Sequence, residues 1–263
     1  MKFVKMHGIG NDYVFVDCRT EKVADPVETA RRVSDRHLGI GSDGLVLMLP
    51  DEEADLAMRI FNADGSEAEI CGNACRCVAK YAWESGWCRK DMIRLNTMSG
   101  IHMMWPRHEG DQVTSVSVDM GPVRSIRKLE QLKAGWNEWS GYAIDLGNPH
   151  FVILGEEPDD ARLAQDGSAL EHNSCFPDRA NIEFVRKEAP NAIRVRVWER
   201  GSGITRACGS GACAAFAAVK EAGLCVSEVE VILDGGTLKV TVDPETGHLI
   251  QNGPAEIVFY GEI

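Results

Sequence analysis

Residues 69–77 read EICGNACRC, so Cys71, Cys75 and Cys77 crowd into one short stretch. Such a cluster suits a metal site, a redox pair, a reactive thiol with neighbours, or the packing of a buried helix. A structural zinc site wants four ligands, usually from C-x2–4-C pairs. Here the spacing is C-x3-C-x-C with no second Cys/His pair nearby, so no metal is expected. A second Cys-Gly stands far downstream in CGSGACAAFAAVKEAGLC, residues 208–225.

The two Cys-Gly stretches are related by an offset of 137 residues. CGNACRCVAKYAWESGWC (71–88) lies over residues 208–225, with Gly86 over Gly223 and Cys88 over Cys225. MRIFN (58–62) lies over VRVWE (195–199), and GNDYVFV (10–16) over GNPHFVI (147–153). Self-similarity at one displacement marks a duplicated unit. The expected division is 1–118 and 119–263, with a junction near DMGP (119–122) and a final strand free to return to the first half.

The repeat also defines the elements that must position the thiols. Each half opens with a β-rich stretch, YVFVD or HFVIL, and continues with an alternating strand, LAMRIFN or AIRVRVWE. A Gly-rich turn leads to Cys-Gly and a helix, which a glycine closes in WESGW or KEAGL. The helix GACAAFAAVK has almost no polar face, so it is expected to be buried on all sides. The expected fold class is α/β (α+β): two pseudo-symmetric domains, each with strands around a central helix, and a cleft between them.

Cys71 and Cys208 are then equivalent, each just ahead of a buried helix. Helix N-termini favour negative charge and are expected to lower a thiol pKa. The first N–H groups, of Gly72–Asn73 and Gly209–Ser210, suit a carboxylate. Two thiols facing one carbon suit inversion of a centre beside a carboxylate. One thiolate removes a proton and the other thiol delivers one to the opposite face.

Composition narrows the alternatives. The chain has 263 residues, 44% hydrophobic and 26% charged, which supports a real core. A net charge of −12 argues against nucleic acid or an anionic membrane as partner. No apolar run reaches membrane-spanning length and the N-terminus lacks a signal-peptide pattern, so a cytoplasmic protein is expected. Nine cysteines, an odd number, in that compartment argue against a disulfide framework.

MHGIGNDYVFVD, RHLGIGSDGL, FNADGSEAEICGN, GNPH, FPDRANIEF and WERGSGITRACGSGA together resemble the diaminopimelate epimerase family. With GGTLKV and NGPA, the resemblance covers essentially the whole chain. It implies a racemase or epimerase that uses two cysteines and no cofactor. The implied reaction converts LL-diaminopimelate to the meso form, for lysine and cell-wall precursor synthesis. By matching motif, Cys71 and Cys208 are the implied acid–base pair, supported by His150 and Glu199. Asn11, Asn62, Asn148, Asn181 and Arg200 would hold the polar ends of the substrate, and Gly72, Asn73, Gly209 and Ser210 its carboxylates. The resemblance also implies a homodimer. The family's usual CGNG is CGNA here, with Ala74, and its frequent GET is GIT, with Ile204. The alternative is a racemase of another amino acid, of histidine, proline or hydroxyproline type.

The remaining candidates read as structure. Cys75, Cys77, Cys88, Cys213 and Cys225 suit packing. HGIGND and GIGSDG lack the Walker A lysine and the Rossmann spacing. PDEEAD (50–55) suits a solvated loop, and WPRHEGDQ (105–112) a hairpin turn.

Overall fold

A computed structural model of the chain describes residues 1–225 and 227–263. The chain divides into two compact units, Met1–Asp119 with Asn252–Ile263, and Met120–Gln251. Residues 252–263 thus pack with the first unit, the return that the sequence division leaves open for the final strand.

The first unit begins with β1 (Lys2–Gly8), β2 (Asn11–Asp17), α1 (Pro26–Ser34), β3 (Gly44–Leu49), β4 (Leu56–Asn62) and β5 (Glu67–Ala68). It continues with α2 (Gly72–Glu84), β6 (Ile93–Thr97), β7 (Gly100–Glu109) and β8 (Gln112–Asp119). The second unit starts with β9 (Ser125–Ala134), β10 (Asn137–Asp145), β11 (Pro149–Leu154), α3 (Asp160–Glu171), β12 (Asn181–Ala189) and β13 (Ala192–Glu199). There follow β14 (Gly203–Thr205), α4 (Gly209–Glu221), β15 (Glu228–Leu233), β16 (Gly236–Val242) and β17 (Leu249–Gly253). The last strand, β18 (Glu256–Glu262), lies in the first unit.

Strand register repeats the sequence offset. β2 and β3 are parallel with Tyr13 opposite Gly44, and β11 and β12 are parallel with His150 opposite Asn181. β3 pairs antiparallel with β4, Val46 opposite Ile60; β12 pairs antiparallel with β13, Glu183 opposite Val197. Ile60 faces Ala68 across β4 and β5, as Val197 faces Thr205 across β13 and β14. All of these partners differ by the 137 residues read from the sequence. The strand that follows each repeat joins the other. β9 pairs antiparallel with β10, and β18 pairs antiparallel with β1.

The central helices explain the buried character of their sequences. α2 packs against β1, β7 and β8; α4 packs against β10, β11, β12, β13, β15 and β16. Nearly every residue of α4 is buried, and most are alanine or glycine, so the surrounding strands can approach its backbone. Both helices end at a glycine in the left-handed region, Gly86 (φ 75°) and Gly223 (φ 71°). Only glycine adopts that conformation without steric cost, which stops each helix at the same point.

On their other face the strands meet the outer helices. Ala30 and Val33 of α1 pack with Val14, Val16, Leu45 and Phe61. Leu163 and Leu170 of α3 pack with Trp139, Phe151, Ile182 and Phe184. Strands covered on both faces have continuous apolar runs rather than alternation. GLVLML of β3 and HFVI of β11 are such runs. WPRHEGDQ forms the β7–β8 hairpin, with Glu109 opposite Gln112.

Candidate active site

Each reactive-cysteine candidate is the N-cap of its central helix. Cys71 and Cys208 have extended backbones (φ −141° and −116°), and helical geometry starts at Gly72 and Gly209. The helical ladder opens with Cys75 N–H to Cys71 O (2.9 Å) and Ala212 N–H to Cys208 O (3.0 Å). The N–H groups of Gly72, Asn73, Gly209 and Ser210 therefore precede the ladder, where an anion would meet them.

In the first unit the Cys71 thiol donates to Asn11 Oδ1 (3.4 Å), and Asn73 Nδ2 donates to the same oxygen (3.2 Å). Tyr13 Oη lies 3.8 Å from Cys71 Sγ. Asn11 is held in turn by its own Nδ2 donating to Asp43 Oδ2 (2.8 Å). Arg76, fully buried one turn into α2, donates to Asn73 Oδ1 and to Pro254 O (3.1 Å). Asn62 turns elsewhere, its Nδ2 donating to Ser66 Oγ (3.0 Å) in the turn after β4.

In the second unit Gly211 N–H donates to Cys208 Sγ (3.3 Å), and Ser210 Oγ lies 3.7 Å from the sulfur. Asn148 Nδ2 donates to Ser210 Oγ (3.2 Å), while Asn148 Oδ1 lies 3.1 Å from His150 Nε2. His150 Nδ1 lies 2.7 Å from Glu183 Oε1, and both side chains are fully buried. Asn181 closes the strand end: it donates to Pro149 O (3.1 Å) and accepts from Arg200 N–H (3.0 Å). Arg200 itself is exposed and donates to Asp178 O (3.1 Å). Glu199 accepts from Thr205 Oγ1.

Cys208 departs from the expectation for a helix start. Its burial, then the nearby Glu199 and Glu183 carboxylates, push the thiol well above its ordinary range. The Gly211 amide and Ser210 pull the other way and are outweighed. Low dielectric and like charge both disfavour the thiolate. Cys75 and Cys77 are buried on α2 and strongly raised by desolvation, Cys77 to about 12, which suits packing rather than reactivity. Among the described residues no group of three or more His, Cys, Asp or Glu is arranged to hold a metal.

The geometry thus gathers Asn11 and Asn73 at Cys71, and His150, Asn148, Ser210 and Glu199 around Cys208. It adds Tyr13, Arg76, Thr205 and Glu183, which reading by motif passed over. For Tyr13 the offset carries a signal, since Tyr13 lies over His150. Arg76 is also a lone charge inside the apolar run ACRCVA.

The family profile described as diaminopimelate epimerase matches residues 3–126 and 142–258. A diaminopimelate epimerase of Bacteroides thetaiotaomicron is 46% identical over 264 residues, spanning 100% of this chain and 98% of its own. One from Acetivibrio thermocellus is 43% identical, with the same coverage of 100% and 98%. Among solved structures, a probable proline racemase from Agrobacterium radiobacter superposes with a TM-score of 0.74 at 16% identity. It covers 100% of this chain and 92% of its own. A PhzF-family phenazine biosynthesis protein from Bacillus anthracis gives a TM-score of 0.73 at 16% identity, covering 100% and 98%. At such identities these structures speak for the fold alone.

Proposed function

Since the chain belongs to the diaminopimelate epimerase family, we propose that it inverts one α-carbon of LL-diaminopimelate to give the meso form, a step of lysine synthesis. The observation that carries the mechanism is the matched pair of N-cap cysteines, one per repeat, each with its own asparagine and helix start.

One thiolate takes the α-proton and leaves a carbanion. The other thiol then gives its proton to the opposite face of the carbon. The two sulfurs end with their protonation states exchanged, and a proton exchange with solvent restores them. In the reverse direction they swap roles, so no cofactor is required for either direction. The N–H groups of Gly72 and Asn73, or Gly209 and Ser210, would receive the carboxylate and the charge that spreads onto it. His150 and Glu199 would orient the α-amino end, and Asn11, Asn148, Asn181 and Arg200 the remaining polar groups. Asn62 would join them by leaving Ser66 when substrate arrives.

Cys208, raised in the resting chain, suits the proton donor. Cys71 then suits the base for one hand of substrate. A site of this kind needs reduced thiols, which fits a cytoplasmic enzyme. No helix among the described residues is long and apolar enough to cross a membrane. A homodimer is part of the same reading, and light scattering on the purified chain tests it.

The test offers LL-diaminopimelate, histidine, proline and hydroxyproline to the reduced protein. Epimerisation of the first alone is expected; turnover of another with none of diaminopimelate would replace the substrate. Cys71→Ala and Cys208→Ala should each abolish turnover, and activity retained in either contradicts the two-thiol assignment.

A further inference from the structure

We propose that Glu183 is a positioning residue for this reaction, holding His150 and, through Asn148 and Ser210, the hydrogen-bond chain that ends at Cys208. Its role rests on the two-thiol reading above. A carboxylate only accepts, so the 2.7 Å contact makes His150 Nδ1 the donor; Nε2 lies 3.1 Å from Asn148 Oδ1, which also only accepts, so both contacts are hydrogen bonds when both ring nitrogens carry hydrogen. Asn148 continues to Ser210 Oγ (3.2 Å), which lies 3.7 Å from Cys208 Sγ. The same carboxylate underlies the first turn of α4. A methyl at Gly211 would come 2.8 Å from Glu183 Oε1 and 3.1 Å from Cys208 Sγ.

The fold does not require this carboxylate. The repeat supplies an internal comparison, because the first unit has Val46, fully buried, at the place of Glu183. Tyr13 stands there at the place of His150. The same strand pairing is therefore built with an apolar residue. Burying a carboxylate is costly unless partners compensate. Glu183 has few: its Oε2 accepts nothing among the described residues. A group serving only to satisfy local donors would be better matched. What Glu183 does achieve is one fixed imidazole orientation, with the Nδ1–H held on its carboxylate.

The test uses the full chain labelled with 15N-histidine, without substrate, and compares Glu183→Met and Glu183→Gln. In the parent protein the His150 Nδ1–H should give a far-downfield proton resonance. Glu183→Met should lose it and lower kcat about 100-fold with KM within about two-fold. Glu183→Gln, whose carbonyl still accepts, should keep the Nδ1–H resonance and lower kcat about 10-fold. A folded Glu183→Met with parental kcat, or a parent protein without the resonance, overturns the assignment. Should Glu183→Met not fold, unchanged kcat in Glu183→Gln overturns it. A protein that turns over no diaminopimelate refutes the substrate reading instead, while the resonance still decides the hold on His150.

Discussion

Cys71 and Cys208 occupy the same place in the repeat but not the same surroundings. Cys71 is partly exposed and donates a hydrogen bond to Asn11 Oδ1. Cys208 is buried between a donor amide and two carboxylates. Removing the charge of Glu199 should make Cys208 more acidic. In Glu199→Gln, the pH midpoint for alkylation of Cys208, followed by mass spectrometry of its peptide, should move down. An unmoved or raised midpoint would mean that Glu199 does not act on the thiol. This asymmetry was hidden in the sequence. A helix start predicts a lowered thiol pKa, and Glu183 lies far away along the chain. Only the strand register brings Glu183 beneath α4. The identities of Cys71, Cys208, Asn11 and Asn148, in contrast, follow from the repeat, because type and spacing alone align them.

The helices were legible as elements because their signals are local. An N-cap cysteine, a run of small apolar residues and a terminal glycine recur at the same positions. Ala74, where the family usually has glycine, sits in the first turn of α2 and is fully buried. Ala74→Gly should reduce stability by at least about 1 kcal/mol, from helix propensity and lost packing, with kcat nearly unchanged. Denaturant unfolding and steady-state rates check both. The buried thiols of α2 add a pH dependence. Cys77, ordinarily near 9.0, is raised to about 12, and Cys75 is raised as well. A thiol held protonated by the fold keeps its contribution below the pH where the unfolded thiol ionises. It loses it as pH rises towards the folded value. Stability should therefore fall between about pH 9 and 12, by up to about 1.4 kcal/mol per pH unit and thiol. A Cys75→Ala/Cys77→Ala variant should show a shallower decline. An equal slope would assign the loss to other groups.

At the scale of the whole molecule, residues 252–263 belong with the first unit, the return that the sequence division leaves open for the last strand. Nothing local in EIVFYGE says which half it joins, since a strand pairs wherever a free edge has matching register. β18 pairs with β1 from Lys2↔Glu262 to His7↔Glu256, and Phe3 packs edge-on against Phe259 (5.9 Å). Ending the chain after Ala255 should thus destabilise the first unit, seen as faster amide exchange in β1. Unchanged protection there would contradict the pairing. The proposed chemistry needs a thiol from each repeat. The most direct test of that chemistry is epimerisation of LL-diaminopimelate in deuterium oxide with reductant present. Meso product carrying deuterium at the inverted carbon is expected, and no turnover once either Cys71 or Cys208 is replaced by alanine. Meso product that retains the original protium, or inversion by a chain with one of these thiols, would contradict it.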